Sequence, residues 1–116
     1  MTSLNELEKS VLQTLIQKVP ANLAPLLKSQ IDNASVVSRE NTGAGFYTEL
    51  DAGDVSQPVD AKVIQGVSAE IEGFEQPMLF LLFLRDGAIH TLEGAAITDS
   101  TVGIDFSEVR FRVQSS

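Results

Sequence analysis

The chain is 116 residues long, the length of one domain, and it carries no cysteine. That excludes thiol catalysis, cysteine-ligated zinc, iron–sulfur clusters and a disulfide scaffold. Sixteen acidic residues against eight basic ones give a formal net charge of −8, which disfavours nucleic acid and anionic membrane surfaces as partners, and a hydrophobic content of 43% argues against disorder.

Ser3-Leu4-Asn5-Glu6 has the pattern of a capping box, in which Ser3 and Glu6 satisfy each other's backbone amides. Leu4, Leu7, Val11, Leu12, Leu15, Ile16 and Val19 follow at helical spacing, with Glu6, Glu8, Lys9, Gln13, Gln17 and Lys18 on the other side. The spacing predicts a helix over 4–19, ended by Pro20. A second helix is expected over 22–32, with Asn22 as cap, Pro25 in the first turn and Leu23, Leu26, Leu27 and Ile31 as its stripe. The short link predicts that the two pack as a helical hairpin, offering two apolar stripes to a sheet.

From Ala34 onward the period becomes strand-like. A strand over 35–40, turn chemistry at Asn41-Thr42-Gly43-Ala44-Gly45 and a strand over 46–51 predict a hairpin. In its second arm Phe46, Thr48 and Leu50 should face a core, with Tyr47, Glu49 and Asp51 on a wetter face. A loop over 52–61 is long for a compact domain. The strand expected over 62–72 places Val63, Val67, Ala69 and Ile71 on one face; Gln65 breaks the pattern and Gly66 marks a bulge.

Pro77 to Gly94 is the stretch around which the rest is organised. Met78 to Leu84 is an unbroken apolar run, ended by Asp86-Gly87, the dipeptide that suits a type I′ turn. A two-residue turn pairs Arg85 with Ala88, Leu84 with Ile89, Phe83 with His90, Leu82 with Thr91, Leu81 with Leu92 and Phe80 with Glu93. In that register one face carries Met78, Phe80, Leu82, Leu84, Ile89, Thr91 and Glu93, and the other Leu79, Leu81, Phe83, His90 and Leu92. Both faces are rich in large apolar groups, so each calls for cover, one by the helices and one by a curled sheet, a loop or another subunit. The second arm is expected to run over 88–97 and a final strand over 104–113, with Arg110 and Arg112 solvated or paired with Glu70 and Glu72 across the sheet. The order of elements predicts one α+β domain over 1–116, with an N-terminal helical hairpin packed on a curved, mostly antiparallel sheet of about six strands.

The residue types that carry chemistry are sparse. His90 is the only histidine; a general base would want an orienting carboxylate, and in the expected register Glu93 lies on the opposite face. The acidic residues lack calcium-loop spacing, and Thr42-Gly43-Ala44-Gly45 lacks the ending of a phosphate loop. The sequence therefore yields no expected catalytic, cofactor-binding or metal-ligating residue, no cofactor, and as candidate pocket or surface residues only His90, Tyr47, Glu93 and Arg39.

Asn41 to Thr48 (NTGAGFYT), Val67 to Gly73 (VSAEIEG), and Leu81 to Gly87 (LLFLRDG) with Leu92-Glu93-Gly94 form three blocks. They resemble blocks found in the same order in a family of small bacterial proteins with no assigned activity. The resemblance spans residues 36–94, implies a bacterial cytoplasmic protein of one domain, and transfers no site residue.

These readings point to a non-enzymatic binding or regulatory protein, immunity- or adaptor-like, whose acidic surface meets a basic protein partner and which forms a homodimer through the hairpin's second apolar face. Nucleic acid and membrane are not expected partners. A small-ligand module or minor enzyme, with a pocket between the helices and the curved sheet, is the alternative, and a chaperone-like homodimer another. The N-terminal residues lack the basic flank and apolar centre of a signal peptide, and no segment approaches the ~20 apolar residues of a membrane span, which places the protein in the cytoplasm.

Overall fold

Helix α1 (Glu6–Leu15) opens at Asn5, two residues beyond the expected cap. The capping box belongs to Asn5 and Glu8: Glu8 N–H donates to Asn5 Oδ1, and Asn5 N–H donates to Glu8 Oε1, both at 2.8 Å. Asparagine caps as well as serine does, and this frame buries the Glu8 side chain, which the Ser3 frame would leave outside. The helix tightens into a 3₁₀ turn (Ile16–Lys18) before Pro20. Helix α2 (Ala24–Asp32) also starts late; Leu23 stands at its cap position without a side-chain bond, and Pro25 sits in the first turn as expected. In this computed structural model residues 2–115 are described; Met1 and Ser116, the ends of the expected domain, lie outside the described residues.

Six strands follow: β1 (Ser35–Asn41), β2 (Gly45–Asp51), β3 (Val63–Ile71), β4 (Met78–Arg85), β5 (Ala88–Ala95) and β6 (Phe111–Ser115). They form one open antiparallel sheet in the order β1-β2-β5-β4-β3-β6. The fold is α+β, with the helices on one face of the sheet: α1 packs on β3 and β6, and α2 meets β5. Leu7, Val11, Leu12, Leu15 and Leu27 from the helices meet Ile64, Val67, Met78, Phe80, Leu82 and Leu92 from the sheet. β6 begins later than expected, because residues 104–110 cross the helix side as a loop and seat Phe106 on Phe46, ring centroids 4.7 Å apart.

The central hairpin departs from the simple register. Asp86 (φ 52°) and Gly87 (φ 79°) make the positive-φ turn, and Arg85↔Ala88 and Leu84↔Ile89 pair as expected. Then the ladder slips by one residue at His90: Phe83 pairs with Thr91, Leu82 with Leu92, Leu81 with Glu93 and Phe80 with Gly94. The slip turns Thr91 and Glu93 out of the core and brings Leu92 into it. Without it, a carboxylate would be buried beside Phe80 while a leucine met solvent. It also places Gly94 where a Cβ would lie 2.7 Å from Phe46 and 2.9 Å from Phe80. Turn chemistry fixes the first pairs; the core fixes the rest.

Gly66 does mark a bulge, between Gln65 and Val67. That bulge shifts the phase of the strand, so Ile64 enters the core and Val63, expected there, is 43% exposed. Across the β3–β6 ladder Arg112 reaches Glu70 at 2.8 Å and Arg110 reaches Glu72 at 3.8 Å. All four side chains are exposed, and such pairs contribute roughly 0–1 kcal/mol. The 52–62 connection passes under the β4–β5 turn, where buried Val59 donates its N–H to Gly87 O at 2.9 Å. A Cβ on Gly87 would lie 2.3 Å from Pro58 Cβ, so glycine is needed there for space as well as for its φ.

The slip at His90 is directly testable. Leu92→Ala is expected to cost about 2–5 kcal/mol of unfolding free energy by denaturant titration, and Thr91→Val less than about 0.5 kcal/mol. The reverse ranking would restore the unbulged register.

Candidate functional site

Among the described residues Glu8 is the most buried charge, with none of its side chain exposed. Its carboxylate accepts from Arg39 Nε at 2.9 Å, Arg39 Nη2 at 2.7 Å, Thr48 Oγ1 at 2.6 Å and its own cap's amide. Burial pushes the Glu8 carboxyl up, but those hydrogen bonds and the Arg39 charge outweigh it and hold the group below its ordinary value. The bond to Glu8 in turn raises Arg39, against a smaller opposing effect of burial. Among the described residues every buried side-chain nitrogen and oxygen has a hydrogen-bond partner. Sequence reasoning put Glu8 on the wet side of its helix. The signal that could have found it is its spacing: Val11, Leu12 and Leu15 stand three, four and seven residues on, so Glu8 occupies a position of the apolar stripe.

The core between helices and sheet is packed with side chains, with a cleft left at the start of α1, and three of the four candidate residues lie on the sheet's other side. The ladders set out that uncovered face in rows. One row runs Ser38, Glu49, Thr91, Phe83, Val63; the next Glu40, Tyr47, Glu93, Leu81, Gln65; the third Gly45, Ala95, Leu79, Ser68, Gln114. The first two rows pass from polar residues on β1, β2 and β5 to an apolar residue on β4, and Leu79, Leu81 and Phe83 make an apolar stripe along β4, joined by Val63 of β3. Leu79 is 48% exposed and Tyr47 37%, while Leu81 and Phe83 are half-buried. No described element covers them.

Tyr47 and Glu93 pair directly across β2 and β5. The hydrogen bond to Glu93 raises the Tyr47 hydroxyl above its ordinary pKa, and the Glu93 charge adds to the effect. His90 places Nδ1 2.7 Å from Thr91 Oγ1, beside the Glu49 row. The slip in register thus corrects the expectation that Glu93 lies on the face opposite His90's: Thr91 and Glu93 share the uncovered face. Arg39 is the outlier. Its partners across β1–β2 put it on the helix side with Thr48, where it holds Glu8. The structure therefore brings Tyr47, Glu93 and His90 to one surface and separates Arg39 from them.

That surface sets carboxylates beside apolar groups. Glu40, Glu49, Asp51 and Glu93 lie on its β1-β2-β5 half, and none of them takes part in an ion pair among the described residues. Val63, Leu79, Leu81 and Phe83 adjoin them on the other half. No described helix is long and apolar enough to cross a membrane. No family model, curated protein or solved structure matches the chain.

The Glu8–Arg39 pair makes stability depend on pH with a definite sign. A carboxyl whose folded pKa is depressed stabilises fully above its unfolded value, near 4.3, and loses that contribution as pH falls through the folded value. Wild-type unfolding midpoints should therefore drop on acidification below about pH 4.5. Arg39→Met strands a buried carboxylate and is expected to cost about 3–5 kcal/mol at pH 7. In that variant desolvation dominates, so stability should rise as pH is lowered from 7 to 5, opposite to the pair's effect in the wild type. Urea titrations at pH 7, 5 and 4 distinguish the two slopes.

Proposed function

We propose that the protein is a non-enzymatic binding protein of the cytoplasm, immunity- or adaptor-like, that captures a basic protein partner on the uncovered face of its sheet. The single observation that carries this reading is the juxtaposition on one face of exposed Val63 and Leu79 with the unpaired carboxylates Glu40, Glu49 and Glu93. Contiguous exposed apolar surface rimmed by charge marks interaction sites. Burying Leu79, Leu81 and Phe83 supplies affinity, and the carboxylates select lysine and arginine over acidic competitors and accelerate encounter. The fitting partner is a segment that presents apolar side chains flanked by basic ones.

Kinship with the bacterial family that the glycine-containing blocks resemble belongs to this reading. In this chain three of those glycines serve packing: a Cβ on Gly45 would lie 2.0 Å from Gly94 O, one on Gly87 2.3 Å from Pro58 Cβ and one on Gly94 2.7 Å from the Phe46 ring. Their role is to build the sheet, which leaves recognition to the side chains of its outer face.

A fluorescent ten-residue peptide of alternating valine and lysine is a suitable probe, with a valine–glutamate peptide as control. Anisotropy titrations should show binding of the basic peptide alone, weakening about tenfold between 50 and 300 mM salt. Leu79→Asp, and separately Glu49→Lys with Glu93→Lys, should each weaken it by about tenfold or more while the unfolding free energy stays within about 0.5 kcal/mol. Equal binding of both peptides, or indifference to these substitutions, would sink the reading. Sedimentation of the protein alone tests the competing occupant, a second copy of the chain seated on the same face: a dimer abolished by Leu79→Asp would give the face to self-association.

A further inference from the structure

On the helix side of the sheet, between the start of α1, strands β1 and β2 and residues 104–107, lies a cleft of about 300 Å³. It is at the small end of the range for small-molecule sites, roughly 300–1,000 Å³. Phe46 and Phe106 give it an aromatic wall. Arg39, already paired with Glu8, and Asp105 are the two charges that hydrogen bonds fix in it, and Glu40 lines it as well. Arg39 spends Nε and Nη2 on Glu8 and the second Nη2 hydrogen on Ser3 O at 3.0 Å, which leaves both hydrogens of Nη1 without an acceptor among the described residues. The Glu8 pairing is side-on, so Nη1 points away from that carboxylate. Across the cleft Asp105 is oriented by Ser107, whose N–H and hydroxyl both donate to Oδ1, at 3.0 and 2.6 Å. Asp105 Oδ2 makes no hydrogen bond among the described residues.

Arg39 and Asp105 influence each other's ionisation, yet they form no ion pair within 4.0 Å among the described residues. Each is already held in place by other groups, so closing the gap would cost one of them its existing bonds. A lone anion entering the gap would meet Asp105, Glu8 and Glu40. A lone cation would meet Arg39. A ligand that carries both charges a few bonds apart opposes neither.

We propose that this cleft binds a free α-amino acid with an apolar side chain, its carboxylate on Arg39 Nη1, its ammonium on Asp105 Oδ2 and its side chain against Phe46 and Phe106. The guanidinium is pre-ordered by three hydrogen bonds and the carboxylate by two, so binding loses little side-chain entropy on the protein. The site opens on the helix side of the sheet and shares only Glu40 with the outer face, so its test does not depend on that reading.

Isothermal titration of the full chain with L-phenylalanine tests this, beside two analogues that each lack one charge: L-phenylalanine methyl ester and N-acetyl-L-phenylalanine. Phenylalanine should bind in the millimolar range or tighter, and both analogues about tenfold or more weakly. Asp105→Asn keeps the acceptor for Ser107 and leaves the Glu8–Arg39 pair intact; it should weaken phenylalanine about tenfold while leaving the weak binding of the N-acetyl analogue unchanged. An unchanged thermal midpoint for that variant shows that the cleft has not collapsed; if the midpoint falls, comparison of the three ligands on the wild-type chain decides alone. The proposal is overturned by no heat of binding up to about 10 mM, by equal affinity for phenylalanine and either analogue, or by preference for the ester, which would make the cleft a cation site.

Discussion

A carboxylate with none of its side chain exposed survives in this protein because donors from three elements converge on it. Arg39 of β1 supplies two hydrogen bonds to Glu8, Thr48 of β2 a third, and the cap of α1 a fourth. Taking a charge out of water costs several kcal/mol per ion, and the mutual attraction offsets that only when the bonding is complete. The arrangement is therefore stringent more than it is stabilising. It tolerates one placement of the start of α1 against one end of the sheet, and that placement aims Leu7, Val11, Leu12 and Leu15 along β3 and β6. The shift of the capping box from Ser3 to Asn5 is a consequence: only the later frame lets one glutamate serve both the cap and the ion pair.

With α1 anchored there, the layer it belongs to is too small to wrap the sheet. Helices of ten and nine residues cover one face of six strands, and even that face needs Val59 from one long connection and Phe106 from the other. Nothing comparable crosses the second face. Its two halves differ in chemistry because β4 is apolar from Met78 to Leu84 while β2 alternates. The same strand order that puts β5 between them sets the acidic rows against the apolar stripe. The acidic outer face and the cleft beside Arg39 thus lie largely on opposite sides of a single sheet, with Glu40 at the end of β1 bordering both.

Irregularities of the ladder decide which residues those are. Register shifts occur at Val37, Gly66 and His90, and each displaces the inward–outward alternation by one residue. The shift at Gly66 exposes Val63 and buries Ile64, adding an apolar group to the outer face. The shift at His90 sends Thr91 and Glu93 outward and Leu92 inward. Glu93 thereby comes to lie opposite Tyr47, and the acidic half of the face is complete. Glycines at 45, 87 and 94 allow the backbone approaches that these registers demand.

The α+β class, the amphipathic first helix, the two hairpins, the Asp86-Gly87 turn and the alternation of β2 were legible in the sequence, and the partnership of Glu70 and Glu72 with Arg112 and Arg110 was one of the two arrangements it left open. Each depends on periodicity or turn chemistry within a few residues, or on the charges of two neighbouring strands. The Gly66 bulge was legible too, since glycine in a strand signals one, although its effect on Val63 was not. What only the tertiary structure decided is everything past a slip in phase or across a layer. His90 is an ordinary strand residue by type, and the slip there is chosen by the cost of burying Glu93 against the gain of burying Leu92. Glu8 reads as a surface charge until Arg39 and Thr48, 31 and 40 residues away, are brought to it. For the same reason Tyr47, Glu93 and His90 form one surface while Arg39 stands behind it: composition names the groups, but long-range packing chooses their side of the sheet.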